Sequence, residues 1–410
     1  KSDKDQDDPQ HDPKNFHSGL HGDFSLIIVP IFYRIVNSWY GMRMARRRGN
    51  KKIIVACVAA ALFVFSLSLL NIRGFSFTKK PASCSLSYTP REFTTQPYYT
   101  GPLIDAHVHM PVSSRIVAAV AKRLGSVEFN LSIFDNTLTR DYFVCLFESE
   151  GISQNVGLFL TTRFSLWQEL HTIKKFQKEY PGRVSPFFMP APLSFLRVSP
   201  SEIRKTLDKN PGLFRGIGEL KIFDGTSLEN PHYSELYKIA NDYNLIIMMH
   251  PHFDDKEIVK NILKQYPKVT FLFHGGDRPN VGPARNGSEE FIAEIMKEFD
   301  NAYYSISTIQ LAGYNRGHAF EMPDKEGLWN YRRENFDSEI AAVVKKWKQL
   351  IEKYPDRFMW ETDRQRPQWI FDEDFGHFIE EVARTFIGKL DQSVREKFAY
   401  KNAENLLKGK

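Results

Sequence analysis

Pro102-Leu-Ile-Asp-Ala-His-Val-His-Met110 is the stretch from which the rest of the chain is read. Leu103, Ile104, Ala106 and Val108 form an apolar run of strand length, while Asp105, His107 and His109 recur at every second residue. Side chains alternate across a strand, so these three are expected on one face. Two imidazoles side by side can chelate one ion if carboxylates or further histidines converge from other strands. Taken alone, the pattern suits a strand ending in polar surface residues better than a metal site, so the decision lies with the remaining strands.

From residue 102 onward, short apolar runs alternate with longer amphipathic ones, which is the pattern of parallel βα units. Strands are predicted over 102–108, 155–161, 183–189, 214–219, 244–250, 269–274, 301–306 and 357–362. Helices are predicted over 166–179, 200–209, 232–242, 255–266, 288–299, 335–353 and 370–389. Eight such units suit an α/β fold of the (β/α)8 TIM-barrel type better than an open doubly wound sheet. No G-x-G-x-x-G follows a strand and no Walker pattern occurs, so a nucleotide fold would have nothing to hold its phosphates. Residues 111–154 are long for a first helix with its loops, and an insertion near the barrel mouth is expected there.

In such a barrel the chemistry stands at the C-terminal ends of the strands. Strand four closes as Gly216-Ile-Gly-Glu219-Leu-Lys221, with Ile217, Glu219 and Lys221 expected on one face. Strand five closes as Met248-Met249-His250-Pro251-His252, strand six as Phe271-Leu-Phe-His274-Gly-Gly-Asp277, and strand eight as Trp360-Glu361-Thr362-Asp363. Each end offers a metal ligand or an acid–base group of the type zinc accepts. The three cysteines, Cys57, Cys84 and Cys145, form no zinc-finger spacing, so His and carboxylate are the expected ligands. Cys84 and Cys145 are either a disulfide, in an oxidising compartment, or two free thiols.

The ordered set, Asp-x-His-x-His followed by Glu, His, His and Asp at later strand ends, resembles the amidohydrolase superfamily. More narrowly it is similar to the amidohydrolase-related branch that includes aminocarboxymuconate-semialdehyde decarboxylase. The ending Phe398-Ala-Tyr-Lys-Asn402-Ala403-Glu-Asn-Leu406-Leu407 resembles the closing helix of that branch. The resemblance covers about residues 102–409 and implies that His107, His109, His250 and Asp363 bind a divalent metal, most often zinc. It implies for His274 either a second-metal ligand or an acid–base and substrate-orienting group. Glu219 matches the metal-bridging carboxylate of TatD-like relatives, so either one or two ions are expected; Lys221 would bind metal only after carboxylation. Two features depart from the pattern. Strand eight carries Glu361-Thr-Asp363 where Gly-Ser-Asp is commoner, and a second histidine, His252, competes with His250 for the metal.

With such an ion bound, Asp363 is expected to take a proton from water and pass it to the leaving group, giving a metal-dependent hydrolase of a C–N, ester, lactone or related bond. Decarboxylation or phosphoester hydrolysis on the same site is the alternative, and a non-catalytic binding barrel the second. Arg278, Arg285, Arg316, Arg364 and Arg366 follow strands six to eight, and guanidinium groups there would suit a substrate with a carboxylate or phosphate. Arg278, Arg364, Arg366 and His252 are the substrate-binding candidates. Trp360, Trp369 and Tyr314 are read either as pocket lining or as core.

The formal net charge of +6 is concentrated around Arg43, Arg46, Arg47, Arg48, Lys51 and Lys52, which argues against nucleic acid as a partner of the barrel. Residues 1–23 read as a polar tail, with His11, His17 and His21 solvated, and 24–52 as a juxtamembrane basic segment. Ile53 to Leu70 is uncharged and apolar and reads as a single transmembrane helix. The basic cluster before it places the N-terminus in the cytoplasm and the barrel, 102–410, outside it, after a linker of 71–101. Asn130 and Asn286 are glycosylation acceptors by pattern. The partners expected are a small-molecule substrate and the membrane through 53–70, with a homodimer as the candidate assembly.

Overall fold

The computed structural model describes residues 97–113, 138–191, 194–220, 227–250, 256–274, 288–308, 325–364 and 373–409, without the side chains of 288, 325–329 and 331–333. The chain divides between Phe77 and Thr78, and every described residue belongs to the second unit. The expected tail, juxtamembrane segment and transmembrane helix at 53–70 lie outside the described residues. Among the described residues, no helix is long and apolar enough to cross a membrane.

Eight strands form one parallel sheet in sequential order: β1 (Leu103–His109), β2 (Ile152–Thr161), β3 (Val184–Pro190), β4 (Gly216–Leu220), β5 (Ile246–Met249), β6 (Thr270–His274), β7 (Ala302–Ser307) and β8 (Phe358–Glu361). All eight fall where the apolar runs predicted them. They are buried on both faces, which is why they read as near-continuous apolar segments. The ring closes just past the end of β8: the Asp363 amide donates to the His107 carbonyl (3.1 Å) and the His109 amide to the Arg364 carbonyl (2.8 Å). The result is a (β/α)8 barrel.

Outside the strands run α1 (Arg140–Ser149), α2 (Leu166–Glu179), α3 (Pro200–Lys209), α4 (Pro231–Tyr243), α5 (Lys256–Gln265), α6 (Ser288–Glu298), α7 (Lys325–Lys353) and α8 (Glu373–Lys389), followed by the short α9 (Gln392–Glu396), a π-helical turn (Lys397–Lys401) and α10 (Asn402–Lys408). α2 and α3 match their predicted bounds; α7 begins ten residues before the predicted 335. α1 had no separate prediction inside 111–154. Its buried face, Phe143, Val144, Leu146 and Phe147, is nearly unbroken, and the Thr139 side chain caps it by accepting from the Tyr142 amide at 3.1 Å.

Two apolar clusters organise the packing. One joins the outer faces of the strands, such as Val108, Ile217, Ile247 and Phe273, to the helices. The other takes alternate strand positions, Ile104, Ala106, Val156, Leu158, Ile246, Met248, Leu272 and Met359, and fills the barrel interior together with Ala403 and Leu407 of α10. The Asn402 side chain donates to the carbonyls of Pro355 (2.8 Å) and Phe358 (2.7 Å), fastening this plug where β8 begins. The far, C-terminal end of the barrel is where the polar strand ends meet.

Candidate metal centre

Simple alternation does not bring the site residues together. On β1, Ile104 and Ala106 face the interior, and a register shift between Asp105 and Val108 then swings His107 and His109 to the same side. Asp105 is thereby separated from the histidines, correcting the expectation that all three share a face. Its Oδ1 accepts from the amides of His107 (3.1 Å) and Thr362 (2.9 Å), and its Oδ2 from the Thr362 hydroxyl (2.5 Å), so it is a strut across the β8–β1 seam. Burial pushes its carboxyl up to about 7.

β4 departs from alternation in the same way. Ile217 belongs to the helix-facing cluster, whereas Glu219 reaches the centre, and the pairing with β5 is irregular between Ile217 and Leu220. The turn of the chain is made at Gly218, with φ +142°, where a Cβ would stand 2.3 Å from the Met248 carbonyl oxygen. Only glycine fits that approach. On β5, β6 and β8 plain alternation suffices for Met248, Leu272 and Met359, which point inward below His250, His274 and Glu361, whereas Asp363 follows the end of β8 in a left-handed conformation, φ +55°.

Seven side chains converge there, and six of them, all but His109, are buried. His107 Nε2 and His109 Nε2 are 3.1 Å apart, and Asp363 Oδ1 lies 3.7 and 3.5 Å from them. Glu219 Oε2 lies 3.9 and 3.6 Å from the same two nitrogens. A tetrahedral ion with ligands at about 2.0–2.1 Å separates its donors by about 3.3 Å. The His107, His109 and Asp363 donors are spaced as part of the shell of one ion, and Glu219 faces the same two nitrogens. The other oxygen of Glu219, Oε1, is 3.5 Å from His274 Nε2. Donor atoms of Glu219, His250 and His274 lie within 4.8 Å of one another, and the two rings meet edge to face at 5.2 Å. The candidate donors fall into three overlapping groups: His107, His109 and Asp363; His107, His274 and Glu361; and Glu219, His250 and His274. His250 stands with Glu219 and His274, a different grouping from the expected set of His107, His109, His250 and Asp363.

The electrostatics suit a cation. Burial, and then His274, hold the His107 imidazole well below its usual range, in the neutral form that ligates metal. Burial would raise Asp363, but His274, His109 and His107 hold its carboxyl well below the ordinary carboxylate range. Burial would lower His274, but Glu361, Asp363 and Glu219 raise it to about 9. Three buried carboxylates, Glu219, Glu361 and Asp363, face a small space, and the donor set fits a divalent ion or two.

Glu361, which the sequence marked only as an unusual neighbour of Asp363, is fully buried. Its Oε1 accepts from His274 Nδ1 in a short hydrogen bond, and its Oε2 is 3.6 Å from His107 Nδ1. The signal available in the sequence was its spacing of two from Asp363 on one strand. Arg364 is corrected: its guanidinium is buried over the Phe147 ring and paired with Glu150 Oε2 at 2.6 Å, so it braces α1 and does not reach substrate. Trp360 is core, with its indole N–H donating to Thr308 Oγ1 at 2.7 Å. His252, Lys221, Arg278, Arg285, Arg316, Arg366, Tyr314 and Trp369 lie outside the described residues. Cys145 is disulfide-bonded, and both other cysteines, Cys57 and Cys84, lie outside the described residues.

A parallel eightfold barrel with histidines and carboxylates gathered at its C-terminal mouth defines a TIM barrel with its candidate site where such barrels carry their chemistry. The family model for amidohydrolases matches residues 104–409, and the chain belongs to that family. No curated protein matches the chain. Among solved structures, an amidohydrolase from Burkholderia multivorans with bound zinc is 9% identical, with 76% of this chain and 100% of that one covered and a TM-score of 0.51. A probable 2-pyrone-4,6-dicarboxylic acid hydrolase from Acinetobacter baumannii is 14% identical over 75% of this chain and 99% of that one, with a TM-score of 0.46. A 5-carboxyvanillate decarboxylase from Novosphingobium aromaticivorans, complexed with manganese, is 12% identical over 75% and 96%, with a TM-score of 0.45. At these identities the likeness concerns the fold.

Proposed function

We propose that the barrel is a metal-dependent hydrolase with two adjacent ion positions. The observation that carries this reading is Glu219, whose Oε2 faces His107 and His109 while its Oε1 faces His274. His107, His109, Asp363 and Glu219 would hold the first ion, and Glu219, His250 and His274 the second. A bound divalent ion, zinc foremost, supplies Lewis acidity and makes water acidic enough to deprotonate near neutral pH. Asp363 accepts that proton at a carboxylate oxygen and returns it to the leaving group, its lowered pKa making it a carboxylate at rest. Cleavage of a C–N, ester, lactone or phosphoester bond then proceeds without a covalent enzyme intermediate.

A decarboxylase on this site is the competing reaction, and metal count separates the two. Elemental analysis of the metal-equilibrated full chain should give two ions per chain, falling in His107→Ala/His109→Ala and to one in Glu219→Gln. A folded chain that retains no ion would overturn the metal reading; one ion in the wild type would favour the decarboxylase.

The barrel's expected place outside the cytoplasm, behind an anchor at 53–70, is supported by the disulfide at Cys145, since such bonds persist in oxidising compartments. Protease should reach the barrel from outside intact cells; protection until the membrane is permeabilised would count against it.

A further inference from the structure

The geometry points to Glu361 as a positioning residue that sets the orientation of one histidine in each ligand group and thereby links the two ion positions. This rests on the proposal that the site holds divalent ions.

Glu361 closes β8 behind the ligands, two residues before Asp363. It is fully buried, and its two oxygens diverge towards two rings. Oε1 accepts the Nδ1 proton of His274. Oε2 and His107 Nδ1 face each other at 3.6 Å, and each is a buried atom with no hydrogen bond. A ring rotation of a few tenths of an ångström at Nδ1 would bring that pair within hydrogen-bond reach. The two rings themselves are in contact, with centroids 4.0 Å apart. With Nδ1–H held from behind, each ring must present the lone pair of Nε2: His107 towards His109 and Asp363, and His274 towards Glu219 Oε1.

The carboxylate is itself braced. The Ser305 hydroxyl bonds its side chain, and the Thr308 hydroxyl donates to the Glu361 carbonyl at 3.2 Å while accepting from the Trp360 indole. Glu361 thus stands against one histidine of each set, His107 and His274. A carboxylate behind a metal-bound histidine fixes its tautomer and ring plane, and its loss commonly lowers metal affinity by about 10–100-fold.

The test uses the full chain with zinc and cobalt as probes. In Glu361→Gln the amide cannot accept from both rings, so zinc affinity at both positions, measured by chelator competition, should fall by about 10–100-fold. Stoichiometry at saturating zinc should stay at the wild-type value, the visible bands of the cobalt-loaded protein should shift, and the metal-free melting temperature should stay near that of the wild type. Glu361→Asp keeps the charge but does not reach the rings, and should lose affinity comparably; it also serves if the Gln variant fails to fold. Unchanged affinity in both variants, with wild-type ions bound, overturns the role of Glu361 and leaves the metal reading intact. A drop in stoichiometry would make Glu361 a direct ligand, and a lowered metal-free melting temperature with unchanged affinity a merely structural residue; either overturns the proposal. A wild type that binds neither ion removes the metal reading itself.

Discussion

Asp105 shows how a residue inside a metal-binding motif can serve the backbone instead. It satisfies two amides and a hydroxyl that would otherwise be buried without an acceptor. Asp105→Ala should therefore destabilise the barrel by about 3 kcal/mol or more, read from urea unfolding. Asp105→Asn keeps Oδ1 as acceptor and can donate to Thr362, and should cost much less. Because burial raises this carboxyl from 3.8 to about 7, the folded state holds a proton that the unfolded chain has released. Its contribution is complete below pH 3.8 and lost as the pH rises through about 7. In metal-free protein, the wild type should accordingly lose stability relative to Asp105→Asn over that interval. The residue types of the site were legible in the sequence, since each ligand stands at the end of an apolar strand. What was not legible was which of them cooperate, because a register shift on β1 and a glycine turn on β4 overrule the period-two reading.

At the level of elements, the barrel was the most readable part of the chain. Doubly buried parallel strands leave short apolar runs that no surface pattern obscures, and all eight are visible for that reason. α3 was equally plain: Ser199 and Glu202 form a reciprocal capping box, with Pro200 at the first helical position. Ser199→Ala should cost about 1 kcal/mol in chemical unfolding. The Ser199 hydroxyl and amide lower the Glu202 pKa below 4.5, so that contribution is present above this value and lost as the pH falls through the lowered one. The penalty of Ser199→Ala should shrink in acid. α1 was hidden by the opposite circumstance. Its apolar residues, Phe143 to Phe147, form one short unbroken run without helical spacing, packed by Arg364 and the strands.

For the whole molecule, candidate ligands drawn from the ends of β1, β4, β5, β6 and β8 would make ion binding a property of the assembled ring. Zinc at about a thousand times its dissociation constant would add about 4 kcal/mol to the unfolding free energy. The melting temperature of the full chain should rise on zinc addition and fall back with chelator, and both changes should be smaller in His107→Ala/His109→Ala.

The seam has a kinetic consequence. His107 and His109 lie on one side of the β8–β1 junction and Asp363 on the other, so an ion shared by them would span the line along which the ring closes. Parting that junction would expose the amides of His109 and Asp363 to solvent exchange in the same opening that separates the ligands. Metal loading should therefore slow deuterium uptake at those two amides more than elsewhere in the strands, and the rate at which the ion escapes should follow the breathing of the seam.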